Sequence, residues 1–389
     1  MSLVHRRLRS VVLALLAASA AFSCATPQPA TPPAPRPAIQ MPVEPPAPVR
    51  PPAPEPAPPP ATAVPPAPAP LKPGPAVTLL LPLDAPEFRA PAEAVRQGFM
   101  AALAIEGRQL EVVVRRTDST DDRVLADYEA AIQSGTRLVV GPMTRSGVSA
   151  LLRSGRLAVP TLALNQPESA TALPSSLYIF GLAADVEARQ IAHRAWQDTM
   201  RVAAVVSTAN PLSRRTRDAF VDEWLLIGGT VTDAIEAQPG GDLAQVKEIL
   251  DRRPPQFVFL AESGVRARLL RPYLGSQTPI YATSQINTTI DPLKNLDLNG
   301  VLFADMPWLV RPDDPAVARY PRPAGLDGDL MRFYALGIDA CRIAIALLDG
   351  QQRFEFVGVT GRIAVQGAGF VERVPVAATF RDGRSVAVE

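Results

Sequence analysis

The segment from Arg137 to Asn165 most restricts what this chain can become. Leu138-Val139-Val140 is an apolar run that Gly141-Pro142 stops, the pattern of a short buried strand between breakers. Thr144 or Ser146 is suited to cap the following helix, in which Val148, Leu151 and Leu152 share a face at i, i+3 and i+4. Gly155 ends that helix, and Thr161 to Leu164 is the next apolar strand. Strand, helix and strand in this order form a βαβ unit, which requires a parallel sheet. The loops after such strands gather at the carboxyl edge, where open α/β sheets take ligands. Gly141 to Ser146, with Asn165 and Gln166, predict one rim of such a site.

The same alternation runs from Ala76 onward. Val77 to Leu83, Leu110 to Arg115, Arg201 to Ser207, Thr230 to Ile235, Phe257 to Leu260, Pro279 to Thr283 and Gly300 to Asp305 read as strands. Helices are predicted between them, including Ala92 to Glu106, with Val95, Phe99 and Leu103 on one face, and a long one from Leu330 to Leu348. The tail changes to hairpins, with strands Gly361 to Val365, Val371 to Phe380 and Ser385 to Val388 around glycine turns. About ten strands with interleaved helices predict α/β architecture with parallel sheets, and over 300 residues divide better into two lobes than one sheet. Strands 77–83, 137–140 and 161–164 are expected in one sheet, and 201–207 and 256–261 in another. The long helix is expected to return to the first lobe.

The first 75 residues have another character. His5, Arg6, Arg7 and Arg9 precede the apolar run Val11 to Phe22, which is too short to span a bilayer as a helix. Residues 1–23 therefore read as a targeting segment. Cys24 follows directly, one of only two cysteines in the chain. That placement resembles a bacterial lipobox, in which the cysteine is acylated and becomes the mature N-terminus. Ordinary secretory cleavage after Ala20 is the alternative. Ala25, in place of aspartate, resembles the outer-membrane sorting pattern of lipoproteins. From 26 to 75 the chain is dominated by Pro and Ala and holds over half of the 43 prolines. Such a segment is expected to be disordered, extended and solvated, with a reach of about 150 Å. Net charge is +1 without a basic block, which argues against nucleic acid as a partner.

The element order resembles a type 1 periplasmic-binding-protein fold, which implies three crossings between lobes. They would fall near Ile179 to Asp185, Gly300 to Pro307 and Phe356 to Gly361, with Gly181, Asp305, Pro307 and Trp308 as candidate hinge residues. Lobe 1 would hold about 76–181 and 306–357, and lobe 2 about 182–305 and 358–389. More narrowly, the body resembles the C-terminal domain of the LppC/LpoA family of penicillin-binding-protein activators. The resemblance rests on VTLLLPL at 77–83, AVRQGFMAA at 94–102, VVGPMTRSGV at 139–148, VPTLALN at 159–165 and FGLAADVEARQIA at 180–192. YATSQI at 281–286, DLNGVLFADMPWL at 297–309 and RFYALGIDA at 332–340 complete it. Longer members carry an N-terminal helical-repeat domain, where this chain has its Pro/Ala stretch.

No HExxH, CxxC or G-x-S-x-G pattern occurs, and no cofactor or metal is implied. His193 reads as a helix residue and Cys341 as a core thiol. Thr144, Arg145, Ser146, Asn165, Ser207, Thr208, Ser263, Thr283 and Ser284 all follow predicted strands, where hydroxyls and helix N-termini suit an amino-acid-like carboxylate. Read blandly, they are caps and loop-satisfying groups. Two functions follow. The resemblance implies an outer-membrane lipoprotein that binds a class A penicillin-binding protein, a peptidoglycan synthase, and stimulates crosslinking without catalysis of its own. The alternative is a solute-binding lipoprotein that captures an amino acid or peptide.

Overall fold

The computed structural model describes residues 74–169, 172–238 and 240–388. The targeting segment, Cys24 and nearly all of the Pro/Ala stretch lie outside the described residues.

The body begins with β1 (Val77–Leu81), α1 (Arg89–Ile105), β2 (Val112–Arg116), α2 (Asp121–Gln133), β3 (Leu138–Val140), α3 (Arg145–Ser154), β4 (Thr161–Ala163) and β5 (Leu177–Ile179). These strands pair in parallel in the order β5-β4-β3-β1-β2. Alternate residues of β1 face opposite ways. Leu79 and Leu81 join a core with α1, while Leu80 packs with Val124, Tyr128 and Leu151 from α2 and α3. Burial on both faces explains why the strands read as unbroken apolar runs.

The second lobe follows with α4 (Ala184–Gln197), β6 (Val202–Thr208), α5 (Pro211–Leu226), β7 (Thr230–Ala237), α6 (Ala244–Arg252), β8 (Phe257–Leu260), α7 (Gly264–Leu270), β9 (Ile280–Ala282), α8 (Pro292–Asn295) and β10 (Leu302–Asp305). Its strands pair in parallel in the order β10-β9-β8-β6-β7. Two short helices, α9 (Pro307–Val310) and α10 (Pro315–Ala318), lead to the long α11 (Gly328–Leu348). As expected, α11 returns to the first lobe, where its Tyr334, Ile338 and Cys341 share a core with Val95 and Phe99 of α1.

The tail corrects the expectation. The predicted strand from Val371 to Phe380 is divided between two strands in two sheets, and the two residues just before it form a strand in the third. After β11 (Arg353–Val357) and β12 (Arg362–Gln366) come β13 (Gly369–Phe370), β14 (Glu372–Val374), β15 (Val376–Arg381) and β16 (Arg384–Ala387). β13 adds in parallel to β5, and β14 completes a small antiparallel sheet with β12 and β11. β15 runs antiparallel to β10, with β16 on its outer edge. Pro375 stands between β14 and β15, and its missing N–H stops a continuous ladder. The lobe boundary placed at 358 is therefore too early. Val359, Ile363, Val365 and Val371 lie in the first lobe's core, and the second sheet takes up the chain only from Val376.

Candidate functional site

At the carboxyl edge of the second sheet, β6, β8 and β9 end beside one another and the loops after them surround a cavity of about 430 Å³. Thr208, Ser213, Glu262, Ser263, Arg266 and Thr283 are among the residues that line it. The local sequence explains the placement. Asn210 caps α5 by accepting the Leu212 N–H at 2.8 Å, and Pro211 fits the first helical turn. That cap sets Ser213 under the end of β6, where its hydroxyl oxygen accepts the Thr208 N–H at 2.9 Å. The same oxygen lies 2.6 Å from the Ala261 carbonyl and 2.7 Å from Glu262 Oε1, with one proton to share. Glu262 is 6% exposed, and no ion pair among the described residues includes it. Arg266 lines the same space, so the cavity presents both a carboxylate and a guanidinium. The fully buried Thr283 hydroxyl has no hydrogen-bond partner there. Ser213→Ala should lower stability by about 1–3 kcal/mol, because the Thr208 N–H loses its acceptor and Glu262 a donor. A melting temperature equal to the parent's would show that the hydroxyl carries no such role.

Beside the cavity runs a buried charged network. Glu187, in the first turn of α4, accepts from the Ser284 N–H at 3.1 Å and its hydroxyl at 2.6 Å. Its other oxygen takes Arg373 Nη2 at 2.7 Å, with both side chains buried. Asp305, at the end of β10, accepts from Arg332 Nη2 at 2.7 Å, Asn287 Nδ2 at 2.9 Å and the Met306 N–H at 2.9 Å. Arg332 Nη2 also donates to the carbonyls of Ser284 and Asn287. Burial raises the Asp305 carboxyl above the usual carboxylate range, against the pull of Arg332. Asp339 on α11 accepts the Val359 and Thr360 N–H groups and the Thr360 hydroxyl. Burial raises its carboxyl too. These bonds join α11, which packs in the first lobe, to α4 and the end of β10 in the second.

The predicted site residues separate accordingly. Thr208, Ser263 and Thr283 line the one cavity. Ser284 turns to Glu187, and the buried Ser207 hydroxyl faces Arg217 at 3.4 Å. Those of the first lobe make local contacts. Thr144 caps α3 through the Gly147 N–H. Arg145 donates to the Pro167 carbonyl at 3.0 Å and Asn165 to that of Met143 at 3.0 Å. Ser146 is half-buried in the first turn of α3. Gly181 follows β5, half-buried. Pro307 opens α9, and Trp308 is fully buried against Tyr334, with ring centroids 5.6 Å apart. Ser213, Glu262, Arg266 and most of the charged network escape sequence reasoning. Cys341 is buried, which raises its thiol pKa. His193 meets Glu223 at 2.9 Å on an exposed helix face. Among the described residues no helix is long and apolar enough to cross a membrane, and no cluster of His, Cys, Asp and Glu suits a metal ion.

The sequence profile of the family described as "LppC putative lipoprotein" matches residues 71–253 and 233–383, nearly the whole described body. The chain belongs to the LppC family. One LppC-like relative, "Penicillin-binding protein activator LpoA" of Pasteurella multocida, is 26% identical over 302 residues. That match covers 76% of this chain and 52% of the relative. The chain thus spans about half the length of the curated relatives it matches. Among solved structures, the LpoA C-domain from Haemophilus influenzae, described as a regulator of PBP1A, superposes with a TM-score of 0.67 at 24% identity. It covers 80% of this chain and 99% of that one, so the LppC body shares its fold. A Chromobacterium violaceum protein described as "a putative branched-chain amino acid ABC transporter" has a TM-score of 0.65 at 32% identity, covering 78% and 99%. The two-lobed, periplasmic-binding-protein-like architecture expected of the LppC family is therefore the one found.

Proposed function

We propose that this lipoprotein binds a class A penicillin-binding protein and stimulates its peptidoglycan crosslinking, without catalysing a reaction itself. The observation that carries this reading is the LppC match across residues 71–383, joined to relatives named as penicillin-binding-protein activators. In this reading Cys24 is acylated and holds the protein at the periplasmic face of the outer membrane. The Pro/Ala stretch reaches toward a synthase in the inner membrane, and tethering raises the local concentration of the body enough for a modest interface to suffice. Activation then means tighter binding to the active state of the synthase than to the inactive one.

Reconstitution of the full chain, made soluble by Cys24→Ala, with a purified class A synthase and lipid-linked substrate tests the reading. Crosslinking should rise with added protein and saturate. In cells Cys24→Ala should move the protein from the outer-membrane fraction to the soluble periplasm. Absence of binding to every class A synthase of the same organism would overturn the proposal. A second reading, capture of an amino acid or peptide, is supported by the cavity beside Glu262 and Arg266, whose opposite charges suit a zwitterion. A large rise in melting temperature with an amino acid, without effect on a synthase, would favour it.

A further inference from the structure

Outside the cavity at the sheet edge, α7 and the segment after β9 share one unusual surface. On α7 the small or apolar Gly264, Ala267 and Leu270 face the core, while Val265 and Leu269, one turn apart, are exposed. The segment 290–296 adds Ile290 at 77% exposure, Leu293 at 80% and Leu296, and it runs into the turn from Leu296 to Leu298 that packs beside α7. Among the described residues, five of the twelve exposed large apolar side chains therefore fall between residues 265 and 296. Leu296 also lines a second cavity of about 430 Å³, with Arg268, Arg271, Ser276, Asp297 and Asn299.

The two arginines distinguish this cavity. Arg268 Nη1 and Arg271 Nε are buried without a hydrogen-bond acceptor. Arg271 uses Nη1 on the Gly275 carbonyl, and neither arginine joins an ion pair among the described residues. Elsewhere in the second lobe Arg214 and Arg217 pair with Glu236, and Arg253 with Asp233. Buried guanidinium N–H groups call for an acceptor, and a carboxylate suits their planar fork best. Set among exposed leucines, the pair has the form of a charged anchor with apolar neighbours that exclude water, as at the centre of a protein interface.

We propose that this face, from α7 to Leu296, is a docking surface for a protein that inserts an Asp or Glu carboxylate between Arg268 and Arg271 and lays apolar side chains on Leu269 and Leu293. Resting on the function proposed above, the partner is the class A synthase. A small anion alone would leave the leucines uncovered, and a lipid surface would not require a carboxylate at the arginine pair.

The test measures binding of the full chain to the purified synthase for the parent, Arg268→Gln, Leu293→Ser and Leu226→Ser, with melting temperatures as the folding control. Leu226 is as exposed as Leu293 but lies on α5. Arg268→Gln should weaken binding at least tenfold and Leu293→Ser several-fold, with Leu226→Ser unchanged and all three melting like the parent. Leu293→Ser keeps the test decisive if Arg268→Gln folds poorly, because a side chain so exposed carries little packing. If the parent binds and both variants bind equally well, the docking surface is overturned and the proposed function stands. If the parent binds no synthase, both fall. Binding to anionic vesicles through Arg268, with synthase binding unaffected, would assign the face to a membrane and overturn the proposal.

Discussion

Arg332→Met is expected to cost about 3–5 kcal/mol of stability, read as a lower urea midpoint. The substitution keeps most of the side chain's bulk but leaves Asp305, fully buried, with only Asn287 Nδ2 and the Met306 N–H as donors. A buried carboxylate so deprived takes up a proton. Its folded pKa, raised by burial even in the parent, then rises further above the unfolded value of about 3.9, so the native state binds the proton more tightly than before. Stability of the variant should accordingly fall as pH rises from that value and recover on mild acidification. The double variant Asp305→Leu with Arg332→Met should regain much of the loss, since neither charge then remains unpaired. A single variant within about 1 kcal/mol of the parent, with no change in pH dependence, would refute the role given to the pair.

Gly337→Ala should destabilise by about 1–3 kcal/mol, and a bulkier residue by more. In an exposed helix the same change stabilises by nearly 1 kcal/mol, because alanine is the better helix former. The sign reverses here because α1 and α11 meet backbone to backbone. A Cβ at Gly337 would lie 2.1 Å from the Val95 carbonyl oxygen, and one at Gly98 would lie 1.9 Å from that of Tyr334. Either helix must withdraw to admit a methyl group, which opens the core around Phe99 and Ile338. Thermal melting of Gly337→Ala and Gly98→Ala decides the matter, and a raised melting temperature would refute the tight crossing.

Strand and helix alternation is legible in the sequence because both sheets are buried on both faces, so that runs such as Leu79-Leu80-Leu81 and Phe257-Val258-Phe259 carry no polar interruption. The tail is harder. Phe354 and Phe356 alternate with Arg353 and Glu355 in β11 at the period of a strand, but over only five residues. β5 has three. The cavity is half legible. Hydroxyls after strands point to the right edge, yet Glu262 and Arg266 look like ordinary loop and helix charges. Distance along the chain hides the network, since Glu187 and Arg373 stand 186 residues apart. Its members nevertheless lie largely within the segments that carry the family resemblance. FGLAADVEARQIA holds Glu187, DLNGVLFADMPWL holds Asp305, and RFYALGIDA holds Arg332 and Asp339.

Residues 369–381 reach all three sheets in thirteen positions, closing β5 with β13, β12 with β14 and β10 with β15. Until this stretch is in place, three strands offer bare N–H and C=O groups along one side. Open strand edges recruit other chains. A nascent or clipped chain that ends before Gly369 is therefore more than a weakened version of the whole. It carries three adhesive margins at once, and self-association competes with folding from each of them. The stretch works as a common seam, so that fraying at one margin loosens the other two and the lobes, though built on separate sheets, are coupled in coming apart.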